Sequence, residues 1–159
     1  FYKLYSLYMI GTAVRMQANQ DAADSSNPLG RVLKVGKDNF DKDIDTLELK
    51  LAEAIMAERP AIEQGIGFIK IISVIAPLAG LLGTVTGMIV TFQMITLYGT
   101  GDPKLMAGGI SQALVTTVLG LLVAIPTSLL HSFTQSSARG IVSILEEQST
   151  GILAERAQK

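Results

Sequence analysis

Residues 71–101 read IISVIAPLAGLLGTVTGMIVTFQMITLYGTG, and these 31 residues contain no Asp, Glu, Lys or Arg. A second block without these four residue types follows at 105–138 and is 34 residues long. A helix needs about 20 apolar residues to cross a bilayer, so each block is long enough to span one and to project beyond it. Two such blocks predict an all-α, integral membrane protein with long antiparallel transmembrane helices that extend into a cytoplasmic helical bundle.

The residues between the two blocks predict a tight turn, because Gly, Asp and Pro dominate the segment 99–104. Orientation follows from the positive residues, which accumulate on the cytoplasmic side of a membrane. Nine Lys and Arg residues precede the first block or directly adjoin it, three follow the second, and the turn has only Lys104. We therefore expect a periplasmic turn and cytoplasmic flanking segments.

The chain divides into six predicted segments. Residues 1–18 combine tyrosines with Lys3, as membrane–water interfaces do, and are expected to end a truncated first transmembrane or interfacial helix. The alternative is the ordinary start of an amphipathic helix. The other segments are a cytoplasmic helical region at 19–65, a transmembrane helix at 66–98, a periplasmic turn at 99–104, a transmembrane helix at 105–135 and a cytoplasmic C-terminal helix at 136–159.

Within the predicted cytoplasmic region, residues 19–30 have the composition of a loop. From Asp38 onward a helix is expected, with one apolar stripe at helical spacing that comprises Ile44, Leu47, Leu51, Ile55 and Ile62. Pro60 is predicted to kink or break this helix. The stripe needs a partner, so we expect a bundle with the C-terminal helix or with neighbouring subunits.

The composition excludes several classes of protein. The chain has no Cys, which excludes disulfides, thiol nucleophiles and Cys-ligated metal sites, and its one His cannot form a multi-His site. A net charge of −1 argues against nucleic-acid binding. The Gly-rich segment 80–87 lacks the Lys-Ser/Thr ending of a phosphate-binding loop. We therefore expect no catalytic residue, metal, cofactor or nucleic-acid partner, and no enzyme activity.

Each predicted span has a stripe of small residues at spacings of three and four. Small residues let helices approach closely in lipid, where water provides no hydrophobic driving force. The stripes predict helix packing at Gly80, Gly83, Gly87, Gly109, Ala113 and Gly120. Pro77 and Pro126 lie inside the spans and are predicted to bend them.

Hydroxyl and amide side chains within the spans are candidate ion-pathway residues. The hydroxyl of a Thr can donate to a carbonyl of its own helix, and this bond alone explains how most individual Thr residues are tolerated in a span. A Thr within the small-residue face must instead meet a neighbouring helix or a wet lumen, and Gln is costly to expose to lipid. The candidate pore-lining residues are Thr84, Thr117, Thr116 and Gln112.

Two motifs in the spans resemble those of the MotA/TolQ/ExbB proton channel family. Residues 76–88, APLAGLLGTVTGM, followed by Phe92, resemble its second-span signature. Residues 108–117, GGISQALVTT, with GLLVAIP at 120–126, resemble its third-span signature. The resemblance covers about residues 62–158 and is nearer to the ExbB/TolQ branch than to the flagellar MotA branch.

The resemblance implies a bacterial inner-membrane protein in which three-span subunits form a homopentamer around a pore. A dimer of ExbD- or TolR-like single-span partners passes through that pore, and proton flow drives rotation. In the ExbB case the work reaches a TonB-like protein and outer-membrane transport. The pore threonines of the family map to Thr84 and Thr117 of this chain.

One departure from the family pattern is Gln112, which stands where many ExbB proteins have Glu, five residues before Thr117. Because Gln cannot titrate, the proton-carrying carboxylate is expected to be an Asp of the partner helix, to which Thr84 and Thr117 would hydrogen-bond directly or through water. The alternatives are a TolQ-like cell-envelope motor, a non-conducting membrane scaffold, and a soluble helical bundle.

Overall fold

The structure is a computed structural model that describes residues 2–18, 24–99 and 103–158, with only the backbone of Leu105. It contains five helices, which are α1 (Tyr2–Ala18), α2 (Pro28–Asp38), α3 (Ile44–Glu63), α4 (Ile66–Tyr98) and α5 (Pro103–Ala157). The described ranges contain no strand, and the all-α prediction is confirmed. Of the predicted loop and turn, residues 19–23 and 100–102 lie outside the described part.

The chain forms two compact units. The first unit comprises Phe1–Ile66 and Ser132–Lys159, and the second comprises Gly67–His131. Helices α1, α2 and α3 belong to the first unit with the C-terminal part of α5. The second unit consists of nearly all of α4 and the first part of α5.

Two helix starts differ from the sequence predictions. The loop predicted at 19–30 is wrong at its end, because α2 already begins at Pro28. Asn27 caps this helix: its side chain accepts a hydrogen bond of 2.9 Å from the N–H of Gly30. The helix predicted from Asp38 is also wrong at its start, since α3 begins after Asp43, which accepts from the N–H of Thr46 at 3.0 Å. Both side chains satisfy N–H groups that the first helical turn leaves free.

Glycines end α3 and α4. Helix α3 continues past Pro60 to Glu63, so it does not break at the proline, and Gly65 follows with φ +79°. Gly99 follows α4 with φ +73°, and its N–H donates to the carbonyl of Ile95 at 2.8 Å. The left-handed conformation suits Gly, which has no Cβ to clash with the backbone.

The core of the first unit consists of aliphatic side chains from its four helical parts. Its buried members are Leu7, Val14, Leu29, Val32, Leu47, Leu51, Ile62, Ile66, Ala138, Ile141, Val142 and Leu145. Most of the predicted α3 stripe lies here, but Ile44 at its start is 44% exposed. At Gly36 of α2 an added Cβ would lie 2.7 Å from Ile152 Cδ1 and 3.2 Å from Leu51 Cδ2, so these helices pack closely.

Polar contacts join the helices of the first unit. Asn27 donates through its amide to the buried side chain of Gln17, which connects α2 to α1. Arg31 of α2 makes two bonds to Glu58 of α3, at 2.6 Å from Nε and 2.7 Å from Nη2, and the hydrogen bonds to Glu58 raise the pKa of Arg31. Lys3 donates to the carbonyl of Ala61 at 3.1 Å, near the C-terminus of α3 where a cation is favoured.

The second unit is an antiparallel pair of apolar helices. Gly80 meets Gly120, Gly83 meets Thr116 and Gly87 meets Ala113, so residue numbers fall on α5 as they rise on α4. Both helices are long and apolar enough to cross a membrane, and only 11% of the most apolar window of each is buried. Core helices of a soluble protein would be mostly buried, so this exposure disfavours the soluble-bundle alternative.

Candidate ion-pathway site

The backbones of α4 and α5 approach closely in the second unit. A Cβ added to Gly120 would lie 2.8 Å from the carbonyl oxygen of Ala76 and 2.9 Å from Gly80 Cα. A Cβ added to Gly87 would lie 2.7 Å from Ala113 Cβ. The contact therefore holds all of the predicted packing positions, which are Gly80, Gly83, Gly87, Gly109, Ala113 and Gly120.

Two threonines of α5 lie at this contact. The hydroxyls of Thr116 and Thr117 each donate to the carbonyl oxygen of Gly80 at 3.4 Å, and Thr116 also donates to Ala113 O at 2.6 Å. The missing side chain at Gly80 lets α5 come near enough for these bonds. Both hydroxyls are therefore held between the helices.

Thr84 lies one helical turn beyond Gly80, on the same side of α4. Its hydroxyl donates to the carbonyl of Leu81 at 2.6 Å, and the residue is half-buried. Thr117 contacts Gly80 directly, since its Cα would lie 3.2 Å from a Cβ added there. Thr84 therefore lies about one helical turn from the level at which Thr117 contacts α4.

A groove of about 300 Å³ runs along the α4–α5 contact. Its polar side chains are those of Thr86, Gln112 and Thr116. The complete lining is Gly83, Thr86, Gly87, Val90, Gly109, Gln112, Ala113 and Thr116. Thr84 and Thr117 are not in this lining, so the candidate residues divide between the groove and the Thr84–Thr117 face.

Helix periodicity explains this division. Each residue turns an α-helix by about 100°, so Thr84 and Thr86 lie about 160° apart. Gln112 and Thr117, five residues apart, lie about 140° apart. Thr86 was not among the predicted site residues, although its spacing of two from Thr84 signals the opposite side of α4. That Thr86 and Gln112 line one groove depends on the register between the two helices, which neither sequence motif specifies.

The threonine hydroxyls of the second unit have limited chemistry. Thr86 donates to the carbonyls of Leu82 and Gly83, both at 3.0 Å, and Thr91 donates to Gly87 O at 2.9 Å. A hydroxyl that donates in this way keeps lone pairs that can accept a hydrogen bond from a protonated carboxyl group or a water molecule. These residues can therefore position a proton carrier but cannot carry a charge themselves.

No described part of the chain brings together three or more His, Asp or Glu side chains that could hold a metal ion. Pro77 lies inside α4 and Pro126 inside α5, and both helices continue through them. The bends expected at these prolines stay predictions.

Known proteins are similar to this chain in sequence. The profile of the MotA/TolQ/ExbB proton channel family matches residues 24–147. A putative biopolymer transport protein ExbB homolog from Methanothermobacter thermautotrophicus is 34% identical over 122 residues, which are 74% of this chain and 42% of that protein. The putative ExbB-like 3 protein of Synechocystis sp. is 30% identical over 149 residues, or 92% of this chain and 69% of that protein.

A third relative is the biopolymer transport protein exbB1 of Vibrio cholerae, 35% identical over 100 residues, which are 61% of this chain and 42% of that protein. The chain thus spans between 42% and 69% of the length of these three relatives. The family match covers most of the chain and both apolar helices. The chain belongs to the MotA/TolQ/ExbB proton channel family, in its ExbB-like branch.

Proposed function

We propose that the chain is a proton-channel subunit of an ExbB/TolQ-type motor in the bacterial inner membrane, where it couples the proton motive force to TonB-dependent outer-membrane transport. The subunit would form a homopentamer around a single-span ExbD- or TolR-like helix. The relatives support this proposal through their names as biopolymer transport proteins and through the family match. The role is that of a motor subunit without catalytic residues, a metal or a cofactor.

The observation that carries the proposal is the position of Thr84 and Thr117 beside Gly80. The Thr117 hydroxyl donates to Gly80 O across the helix contact, and Thr84, whose hydroxyl donates to Leu81 O, lies one turn from Gly80. Both residues lie in blocks that contain no Asp, Glu, Lys or Arg. Polar side chains at membrane depth face a neighbouring protein or a water-filled path. We assign the pore-lining surface to the Thr84–Thr117 face.

Because Gln112 cannot release a proton, the partner helix supplies the proton-carrying carboxylate, an Asp in this family. Thr84 and Thr117 would accept a hydrogen bond from this Asp in its protonated form or from the adjacent water. In the charged form the carboxylate would need donors, which the same hydroxyls provide by rotating away from the carbonyls of Leu81 and Gly80.

The turn at 99–104 would face the periplasm, and the first unit, except for its residues at the membrane edge, would lie in the cytoplasm. The distribution of Lys and Arg supports this orientation, since the turn has only Lys104. The predicted transmembrane segments 66–98 and 105–135 coincide with α4 and with the first part of α5.

The test replaces Thr117 with Val, which keeps the shape of the side chain and removes the hydroxyl. Thr96→Val is the matched control, because Thr96 is exposed and its hydroxyl donates only locally, to Phe92 O at 2.9 Å. We expect Thr117→Val to abolish proton-driven transport while the oligomer keeps its size, and Thr96→Val to transport normally. Full activity of Thr117→Val would contradict the proposed pathway.

A reciprocal variant tests the role of Gln112. Gln112→Glu adds a titratable group in the groove with Thr86 and not on the Thr84–Thr117 face, so we expect the pH dependence of transport to stay unchanged. A changed pH profile would show that position 112 is not neutral for proton movement.

A non-conducting scaffold is the second candidate. It is favoured by Gln112 in place of Glu and by the threonine hydroxyls, which all donate to helix carbonyls in the bonds described above. A scaffold would tolerate both Thr117→Val and loss of the partner Asp, so the same transport assay separates the two functions. A TolQ-like role in the cell envelope would differ in the process that is energised.

A further inference from the structure

An aromatic cavity lies in the first unit. It has a volume of about 680 Å³ and is open to the surroundings. Tyr2, Tyr5 and Tyr8 of α1 form one wall at spacings of three residues, and Phe133 of α5 faces them. Leu4 and Ser137 complete the lining. The rings are unusually exposed for such large side chains, from 64% for Tyr5 to 87% for Tyr2.

The sequence places this cavity at the edge of the membrane. Phe133 and Ser137 are among the last residues of the charge-free block 105–138, and Arg139 follows directly. The charge-free block ends where the hydrocarbon core gives way to the headgroups, and Tyr and other aromatic residues concentrate at this depth. The cavity would therefore meet the ester and glycerol region of a lipid together with the first part of its acyl chains.

The lining chemistry selects the type of ligand. It contains no charged side chain, so it offers nothing to hold a free anion such as phosphate. It offers aromatic rings for an acyl chain, with Tyr and Ser hydroxyls that can donate to ester carbonyls. Its volume lies within the range of about 300–1,000 Å³ that is typical of small-ligand sites.

We propose that this cavity binds one glycerophospholipid of the surrounding bilayer, with an acyl chain against the rings of Tyr5, Tyr8 and Phe133 and an ester group at the hydroxyls. The bound lipid would fill the space between α1 and the start of the C-terminal part of α5. This proposal is independent of proton conduction, because none of the lining residues belongs to the Thr84–Thr117 face.

The chain has no Trp, so Phe133→Trp provides a single fluorescent reporter inside the cavity. This variant is reconstituted into phosphatidylcholine vesicles that contain increasing fractions of dibrominated phosphatidylcholine, which quenches tryptophan on contact. In the same background Ser137→Phe fills the cavity, whereas Ser136→Phe adds the same ring at the neighbouring residue outside the lining. Far-UV circular dichroism confirms that each variant keeps its helices.

We expect strong quenching in the Phe133→Trp protein, a roughly twofold loss of quenching when Ser137→Phe fills the cavity, and no change with Ser136→Phe. Absence of quenching would overturn the proposal, as would equal quenching in the Ser137→Phe and Ser136→Phe proteins. A disulfide between two copies carrying Ser137→Cys would assign the cavity to a subunit contact and would also overturn it.

Discussion

The two units of this chain hold their helices together in different ways. The first unit buries large aliphatic side chains, such as Leu47, Leu51 and Leu145, in a shared core. The second unit brings backbones into contact at Gly80 and Gly120 and leaves its large apolar side chains exposed. Burial from water drives the first kind of packing, whereas close contact must drive the second, because lipid is as apolar as Leu.

This difference also explains where polar groups are tolerated. In the first unit, charged residues such as Arg31 and Glu58 connect helices at the surface. In the second unit, uncharged hydroxyls such as those of Thr116 and Thr117 connect helices through the Gly80 carbonyl. Other hydroxyls of the second unit, such as that of Thr96, lie on exposed sides and bond only within their own helix, so the hydroxyls at the helix contact are the natural candidates for function.

The largest expected effect comes from the core of the first unit. Leu51→Ala removes a fully buried side chain and should lower the free energy of unfolding by about 2–5 kcal/mol. Leu49→Ala, on the same helix but 67% exposed, should change it by less than about 0.5 kcal/mol. Thermal unfolding followed by circular dichroism checks both. Equal destabilisation by the two variants would contradict the assigned core.

A smaller substitution tests the second unit. Gly120→Ala adds a Cβ that would lie within 3 Å of backbone atoms at Ala76 and Gly80, so the helices must separate. We expect a loss of about 1–3 kcal/mol, measured by unfolding in detergent. Gly108→Ala is the control, because no described atom lies within 4 Å of its added Cβ and Ala favours the helix. If Gly108→Ala destabilised the protein as much as Gly120→Ala, close backbone packing would not hold the second unit together.

The smallest effect concerns the start of α3 in the first unit. The hydrogen bond from the N–H of Thr46 lowers the pKa of Asp43 below its ordinary value of 3.8. A lowered pKa means that the charged cap stabilises the folded state fully above the unfolded pKa, and that this stabilisation is lost as the pH falls through the lowered pKa. Asp43→Asn keeps a cap that cannot titrate.

Thermal unfolding between pH 6 and about pH 3 should therefore show wild type losing stability relative to Asp43→Asn only toward the acid end, below the ordinary Asp pKa. Asp41→Asn, in the same turn, controls for the loss of one negative charge. If the stabilities of wild type and Asp43→Asn differed by the same amount across the whole pH range, the prediction of a pH-dependent cap at Asp43 would be wrong.

The sequence predicts the second unit better than the first. Charge-free blocks and small-residue spacing are sufficient to locate α4, α5 and their contact positions, because lipid imposes strong rules on composition. Helix α2 was missed because Asn27, Pro28 and Gly30 have the composition of a loop, and only the cap and the buried Gln17 contact show how they start a helix. Short helices in water depend on such tertiary contacts.

The sequence predicts which residues belong to the candidate site, but it does not predict how they are divided between two faces of the helix pair. Thr84, Thr117, Thr116 and Gln112 were selected together, yet Gln112 and Thr116 line a groove with Thr86, and Thr84 and Thr117 do not. The faces within one helix follow from periodicity. The presence of Thr86 and Gln112 in one groove follows from the register of the two helices, which the Gly80–Gly120 contact determines.

The central claim is that the Thr84–Thr117 face, and not the Thr86–Gln112 groove, meets the partner helix. The chain has no native Cys, so single cysteines can be introduced without background. Thr84→Cys, Thr117→Cys and Thr86→Cys are each combined with a single-span ExbD- or TolR-like partner that has a cysteine beside its membrane Asp, and disulfide formation in membranes is measured. The account predicts cross-links from Thr84→Cys and Thr117→Cys and none from Thr86→Cys. Cross-linking of Thr86→Cys alone would contradict it.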